Sequence, residues 1–169
     1  DSRIDLGWFD EEVVAGAFTK SLTDGDDVRA LYNHDTAQVI GRRDANTLRL
    51  KEDATGLHIE IDLPDTTAAH DLIANINAGN IDGMSFGFRA REQEWVEREG
   101  EQELRRLIDV ELIEVSAVTF PAYPDTSIAK RSLELSRTES PAGRTASEER
   151  KQDKMPSLQV LRLKAARLK

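Results

Sequence analysis

The sequence predicts an α+β fold, mainly antiparallel strands with a few flanking helices and a flexible C-terminal tail. Three observations predict it. Short apolar stretches interleaved with polar residues recur from Val28 to Phe120, the period of strands with one wet face. One segment instead spaces Ala69, Leu72, Ile73 and Ile76 as a helix does. From Ser132 to Pro156 apolar residues thin out, and Ser, Thr, Glu, Arg, Gly and Pro take their place. Many short strands with two helices fit an antiparallel barrel or a sandwich. A chain of 169 residues has the length of one ordinary domain with room for a tail.

Taken in order, Glu11 to Leu22 places Val13, Val14, Ala17, Phe18 and Leu22 at helical spacing and stops at Thr23-Asp24-Gly25-Asp26, so a short helix and a turn are expected. Val28 to Tyr32 is a strand running into Asn33-His34-Asp35. A second strand starts near Val39, and Thr47 to Lys51 forms a third. Leu57 to Leu63 alternates apolar and polar over its whole length, and Pro64 ends it. Asp65 or Thr66 can cap a helix running to about Ala78, with Gly79 as its stop. Phe86 and Phe88 continue a strand through Ser85. Trp95-Val96 faces Leu104 to Ile108 across the charged turn 97–101, a hairpin. Val110 to Phe120 is the most strand-like run, and Pro121-Ala122-Tyr123-Pro124 cannot prolong a ladder. Residues 132–156 are expected to be a flexible linker. Leu158, Leu161, Leu163, Ala165 and Leu168 suggest a short basic helix over 157–169, and Met155 resembles a second start, as though a scaffold or capsid protein were fused there. The domain division is therefore 1–131, 132–156 and 157–169.

Composition narrows the chemistry. Cysteine is absent, which removes disulfides, thiolate zinc sites and a thiol nucleophile. No apolar run approaches the roughly 20 residues a membrane-spanning helix needs, so a soluble protein without a membrane partner is expected. The opening at Asp1 reads as a processed or trimmed start with an upstream element missing. Charge is split. Residues 1–130 hold 13 Lys and Arg against 27 Asp and Glu, a net −14, whereas 131–169 hold 10 against 5, a net +5. An acidic body is a poor nucleic-acid binder, because phosphate neutralisation supplies most of that affinity.

Gly83-Met84-Ser85-Phe86-Gly87 sets a serine between two glycines, and no histidine follows it. The α/β-hydrolase use of this pattern puts the acid and then the histidine after the serine, so that order is impossible here. His34, His58 and His70 all lie upstream. Gly87 can equally serve to let a substrate backbone approach closely. His58 shares the polar parity of its strand with Glu60 and Asp62, and His70 lies off the apolar stripe of its helix, so both are expected to be solvated. A rival arrangement gathers His34, Asp35, His58, Glu60 and His70 into a hydrolytic metal site, for which no tight ligand motif speaks.

Four blocks occur together: Val14-Ala15-Gly16-Ala17-Phe18, Leu31-Tyr32-Asn33-His34-Asp35, Gly83-Met84-Ser85-Phe86-Gly87-Phe88, and Leu112 through Ala122. In that order they resemble the prohead proteases of tailed bacteriophages, over about Asp1 to Arg131. The resemblance implies a herpesvirus-protease-like, mainly antiparallel β-barrel and a capsid-maturation serine endopeptidase. Such an enzyme works inside the immature phage capsid in the host cytoplasm, cleaving capsid and scaffold polypeptides and often itself. It needs no cofactor or metal, and the herpesvirus relatives suggest a homodimer. Family members usually begin with a strand before the Val14 block, which only Ile4 to Phe9 can supply here.

The resemblance places the nucleophile on Ser85 and the general base on His34. A serine hydroxyl needs an adjacent imidazole to take its proton, and that imidazole later protonates the leaving amine. The herpesvirus relatives orient the base with a second histidine, where phage proteases use a carboxylate, and Glu114 occupies that place. Strand parity sets 112, 114, 116 and 118 on one face and 109, 111, 113 and 115 on the other, so Glu114 is expected to point away from Glu111 and is preferred to Glu111 and Asp109. In the more apolar part of the strand a carboxylate is costly unless paired, and an imidazole N–H would satisfy it. By analogy the oxyanion donors are backbone N–H groups of Ala122 and Tyr123. A different class of function, a non-catalytic assembly module tethered by its basic tail, fits the same composition.

Overall fold

The computed structural model describes residues 3–123 and the backbone of residues 160–164. The expected linker, residues 124–131 and the ends of the tail lie outside the described residues. Two sheets share one core. The larger is built on a long hairpin, β7 (Gly83–Val96) and β8 (Leu104–Val118), with β1 (Arg3–Asp5), β2 (Asp10–Val13), β3 (Arg29–Tyr32) and β4 (Asp35–Arg42). The smaller contains β5 (Leu48–Asp53), β6 (Gly56–Asp62) and β9 (Val160–Lys164). Two helices are described, α1 (Thr19–Asp24) and α2 (Thr67–Ala78).

Strand β8 is the hub. Along one side it pairs antiparallel with β7 over almost its full length. Its other side is shared, with β2 running parallel beside Leu104 to Leu107 and β3 parallel beside Glu114 to Ala117. Between them the α1 segment satisfies the ladder: Val110 N–H donates to the Ala17 carbonyl at 3.0 Å, and Leu112 N–H to the buried Ser21 hydroxyl at 2.9 Å. The sheet is thus mixed and forked, with β1, β4 and β7 as edges. It does not close into the expected barrel, because two strands dock in parallel on one side of β8 rather than continuing an antiparallel circuit.

The expected helix over Glu11 to Leu22 is shorter and later. Asp10 to Val13 pairs with β8 and alternates part-buried and buried residues, so non-local pairing takes the first turn of the helical pattern. Gly16 at φ 92° then stands outside helical geometry. Helix α2 matches its sequence signals: Thr66 accepts from Ala69 N–H, Gly79 closes the helix in the left-handed conformation, and Ala69, Leu72 and Ile76 are buried. At 160–164, where periodicity predicts a helix, the backbone is a strand antiparallel to β6, consistent with the alternation of Leu161, Arg162, Leu163 and Lys164.

The core joins Met84, Leu107, Val110, Leu112, Val115 and Ala117 of the hairpin to Ile40, Leu48, Ile59, Ile61, Leu72 and Ile76. The hairpin's opposite face, near the start of β7 and the end of β8, carries the polar groups described next.

Candidate active site

A tight turn carries His34. Asn33 and His34 are the two residues between β3 and β4, and both have positive φ, 52° and 59°. That is the backbone of a type I′ turn, for which Asn-Gly is the favoured pair. A histidine at the second position is disfavoured by roughly 1 kcal/mol or more, so the turn is held from outside. Three bonds do this: Asn33 N–H donates to the Ala117 carbonyl at 2.9 Å, Asn33 Oδ1 accepts from Thr119 N–H at 2.9 Å, and His34 N–H donates to Ser116 Oγ at 3.2 Å.

Glu114 meets the ring of His34. Its Oε1 lies 2.7 Å from His34 Nδ1, and its Oε2 accepts from Ser116 Oγ at 2.5 Å. Glu114 is 9 % exposed and Ser116 fully buried, so the carboxylate is nearly dry yet has a donor on each oxygen. Neighbouring Asp35 is occupied elsewhere. Bonds from Gln38 and from Ala37 N–H hold its carboxyl below the usual carboxylate range.

The parity expectation fails in an instructive way. Gly87 pairs with Glu114 but Phe88 pairs with Leu112, so Ile113 is an extra residue, a bulge. Leu112 and Val115 consequently both face the core, while Glu111 and Glu114 share the opposite face. Glu111 is nevertheless separate, opposite Arg89 and 3.5 Å from it. Asp109 pairs with Lys20 at 3.5 Å. Of the three carboxylates weighed from sequence, only Glu114 reaches the imidazole.

Gly87 makes room for that carboxylate. A Cβ at Gly87 would stand 2.6 Å from Glu114 Oε1, closer than any real contact. Its lack of a side chain therefore accommodates Glu114 rather than an approaching substrate backbone. Gly83 has a parallel role, since its Cβ would stand 2.6 Å from Pro121 Cγ. The glycines of the pentapeptide are thus fitted to two later residues within a continuous strand, and no strand-to-helix elbow exists here.

Ser85 lies between them, 7 % exposed and directly across from Ser116 in the β7–β8 register. Cross-strand partners share a face, with Cα atoms about 4.5–5.5 Å apart. Ser85, Ser116 and Glu114 therefore line one face beneath the His34 turn. No hydrogen bond joins Ser85 to His34 among the described residues; Ser116 stands between them in the ladder, opposite Ser85 in register and accepting from His34 N–H.

Pro121, packed on Gly83, brings the segment after β8 across the strand two residues from Ser85. Ala122 is exposed there. Tyr123 is buried: its ring stacks on Phe86 at 5.3 Å, and its hydroxyl donates to the buried Glu11 at 2.7 Å. Burial first, then that bond, pushes the phenol far above its ordinary value.

The other histidines stand apart. His58 Nε2 is 2.8 Å from Asp53 and His70 Nε2 is 2.9 Å from Asp65. Among the described residues no group of three or more His, Asp and Glu is placed to hold a metal ion, so the rival set of His34, Asp35, His58, Glu60 and His70 is not gathered.

A carboxylate beside Nδ1 favours the neutral tautomer with its proton on that nitrogen, which leaves the Nε2 lone pair available. The arrangement can take a proton from a hydroxyl and stabilise the resulting imidazolium. Beyond the place of Ser116 two residues from Glu114 on the same strand, nothing in the local pattern marks Ser116 or Asn33 as part of the site.

Comparison with known families adds one finding. A model of the caudovirus prohead serine proteases matches residues 2–141, most of the chain. The comparison with curated proteins found no match, nor did that with solved structures. The chain belongs to the caudovirus prohead serine protease family.

Proposed function

We propose that this member of the prohead protease family is a serine endopeptidase in which Ser85 is the nucleophile, His34 the general base and Glu114 the orienting acid. The observation that carries the reading is the 2.7 Å bond from His34 Nδ1 to a nearly buried Glu114 on the face that also bears Ser85. His34 Nε2 takes the Ser85 proton as Oγ attacks the scissile carbonyl, then gives it to the leaving amine. Water then attacks the acyl-enzyme as His34 Nε2 takes its proton, and that proton returns to Ser85 Oγ as the acid product leaves. The backbone N–H groups of Ala122 and Tyr123 supply the oxyanion donors.

The substrates in this proposal are capsid and scaffold polypeptides and the chain's own residues 132–156, cut inside the immature capsid in the host cytoplasm. A homodimer and kinship in fold with the herpesvirus assembly proteases belong to the same proposal. So does the division into a protease domain over 1–131, a linker and a tail. The test is Ser85→Ala. The parent is expected to yield defined fragments, of itself and of capsid protein, that the variant does not. Identical fragment patterns would leave the non-catalytic assembly module as the better reading.

A further inference from the structure

Ser116 is fully buried, and its hydroxyl touches two parts of the site at once. Its proton goes to Glu114 Oε2 at 2.5 Å and its lone pair receives His34 N–H at 3.2 Å. It also stands opposite Ser85 in register. We propose that Ser116 is a positioning residue, a buried hydroxyl that holds the His34 turn and the Glu114 carboxylate in one geometry. This rests on the proposed serine-protease reading.

What the hydroxyl supplies is constraint. His34 sits in a left-handed conformation that histidine does not favour, and its own N–H has Ser116 as partner. Glu114 has a flexible side chain, so a bond to one oxygen leaves it free to pivot about that contact. A donor on the second oxygen removes the pivot. Because one hydroxyl serves both, backbone and carboxylate cannot drift independently, and the imidazole attached to both keeps its ring plane. Removing the hydroxyl leaves a buried carboxylate oxygen and a backbone N–H without partners.

Two variants test this, Ser116→Ala and Ser116→Cys. The second nearly preserves the packing volume with only a weak donor, and so covers the case in which the alanine variant folds poorly. Steady-state cleavage of capsid protein is compared well below each variant's Tm, alongside the low-field NMR signal of the His34 Nδ1 proton. The expected result is a fall in kcat of about 10- to 100-fold with KM within about threefold, and loss or broadening of the proton signal. A lowered Tm with kcat and the proton signal unchanged would overturn the proposal. If the parent cleaves nothing while the signal still responds to Ser116→Ala, the positioning role stands and the protease reading fails.

Discussion

Gly87→Ala carries the account's geometry into a single methyl group. In an ordinary strand this change stabilises, because alanine loses less backbone entropy on folding, by about 0.5–1 kcal/mol. At Gly87 the new Cβ would lie 2.6 Å from Glu114 Oε1, 3.1 Å from its Cγ and 3.2 Å from its Cδ, whereas ordinary contact starts at 3.4 Å. The carboxylate must retreat by roughly 0.8 Å, stretching the 2.7 Å bond to His34 toward about 3.5 Å, beyond hydrogen-bonding range. A charge-assisted bond of this kind contributes about 1.5–3 kcal/mol, so the net effect is a destabilisation of about 1–2 kcal/mol. The cost to catalysis is larger, because an unoriented base lowers kcat by about 10²- to 10⁴-fold. The assay is the rate of fragment formation by mass spectrometry, in a cycle with Glu114→Ala. Removing Glu114 vacates the space the methyl needs, so the double variant should be no slower than Glu114→Ala alone. Near-parental activity of Gly87→Ala, or fully additive losses in the double variant, would refute the reasoning.

Two further outcomes follow from local geometry. At the left-handed position of His34, glycine is unstrained and alanine is not, so His34→Gly should be about 1 kcal/mol more stable than His34→Ala in denaturant unfolding; the reverse order would contradict the turn. Asp27 has its carboxyl lowered from 3.8 to about 2, chiefly by its hydrogen bond from Arg42. Because the folded value is depressed, its contribution is full above about pH 4 and lost as pH falls toward 2. The Tm gap between the parent and Asp27→Asn should therefore narrow over that window, and a constant gap would count against the Arg42 pairing.

Features set by neighbours in the chain were legible. The alternation of Leu57 to Leu63 gave a strand, and Thr66 with Gly79 bounded a helix to within a residue. What depended on distant pairing was not. Asp10 to Val13 has its conformation decided by β8, nearly a hundred residues later, and local spacing there points to a helix. The forked docking on β8 likewise leaves no local trace, which is why a closed barrel was expected. Parity is reliable only while the ladder is regular. The bulge at Ile113 reverses the phase, so Glu114 and Glu111 share a face that counting by twos assigns to different ones. Ser116 went unnoticed because its importance comes from the His34 backbone, which reaches it across 82 positions of sequence.

The most direct test of the central claim, that the His34 imidazole activates the Ser85 hydroxyl, is labelling with a serine-reactive fluorophosphonate followed by peptide mapping. One modified residue is expected, Ser85, with labelling slowed at least 100-fold in His34→Ala. Modification of a different serine, or labelling of Ser85 at the same rate without His34, would contradict it.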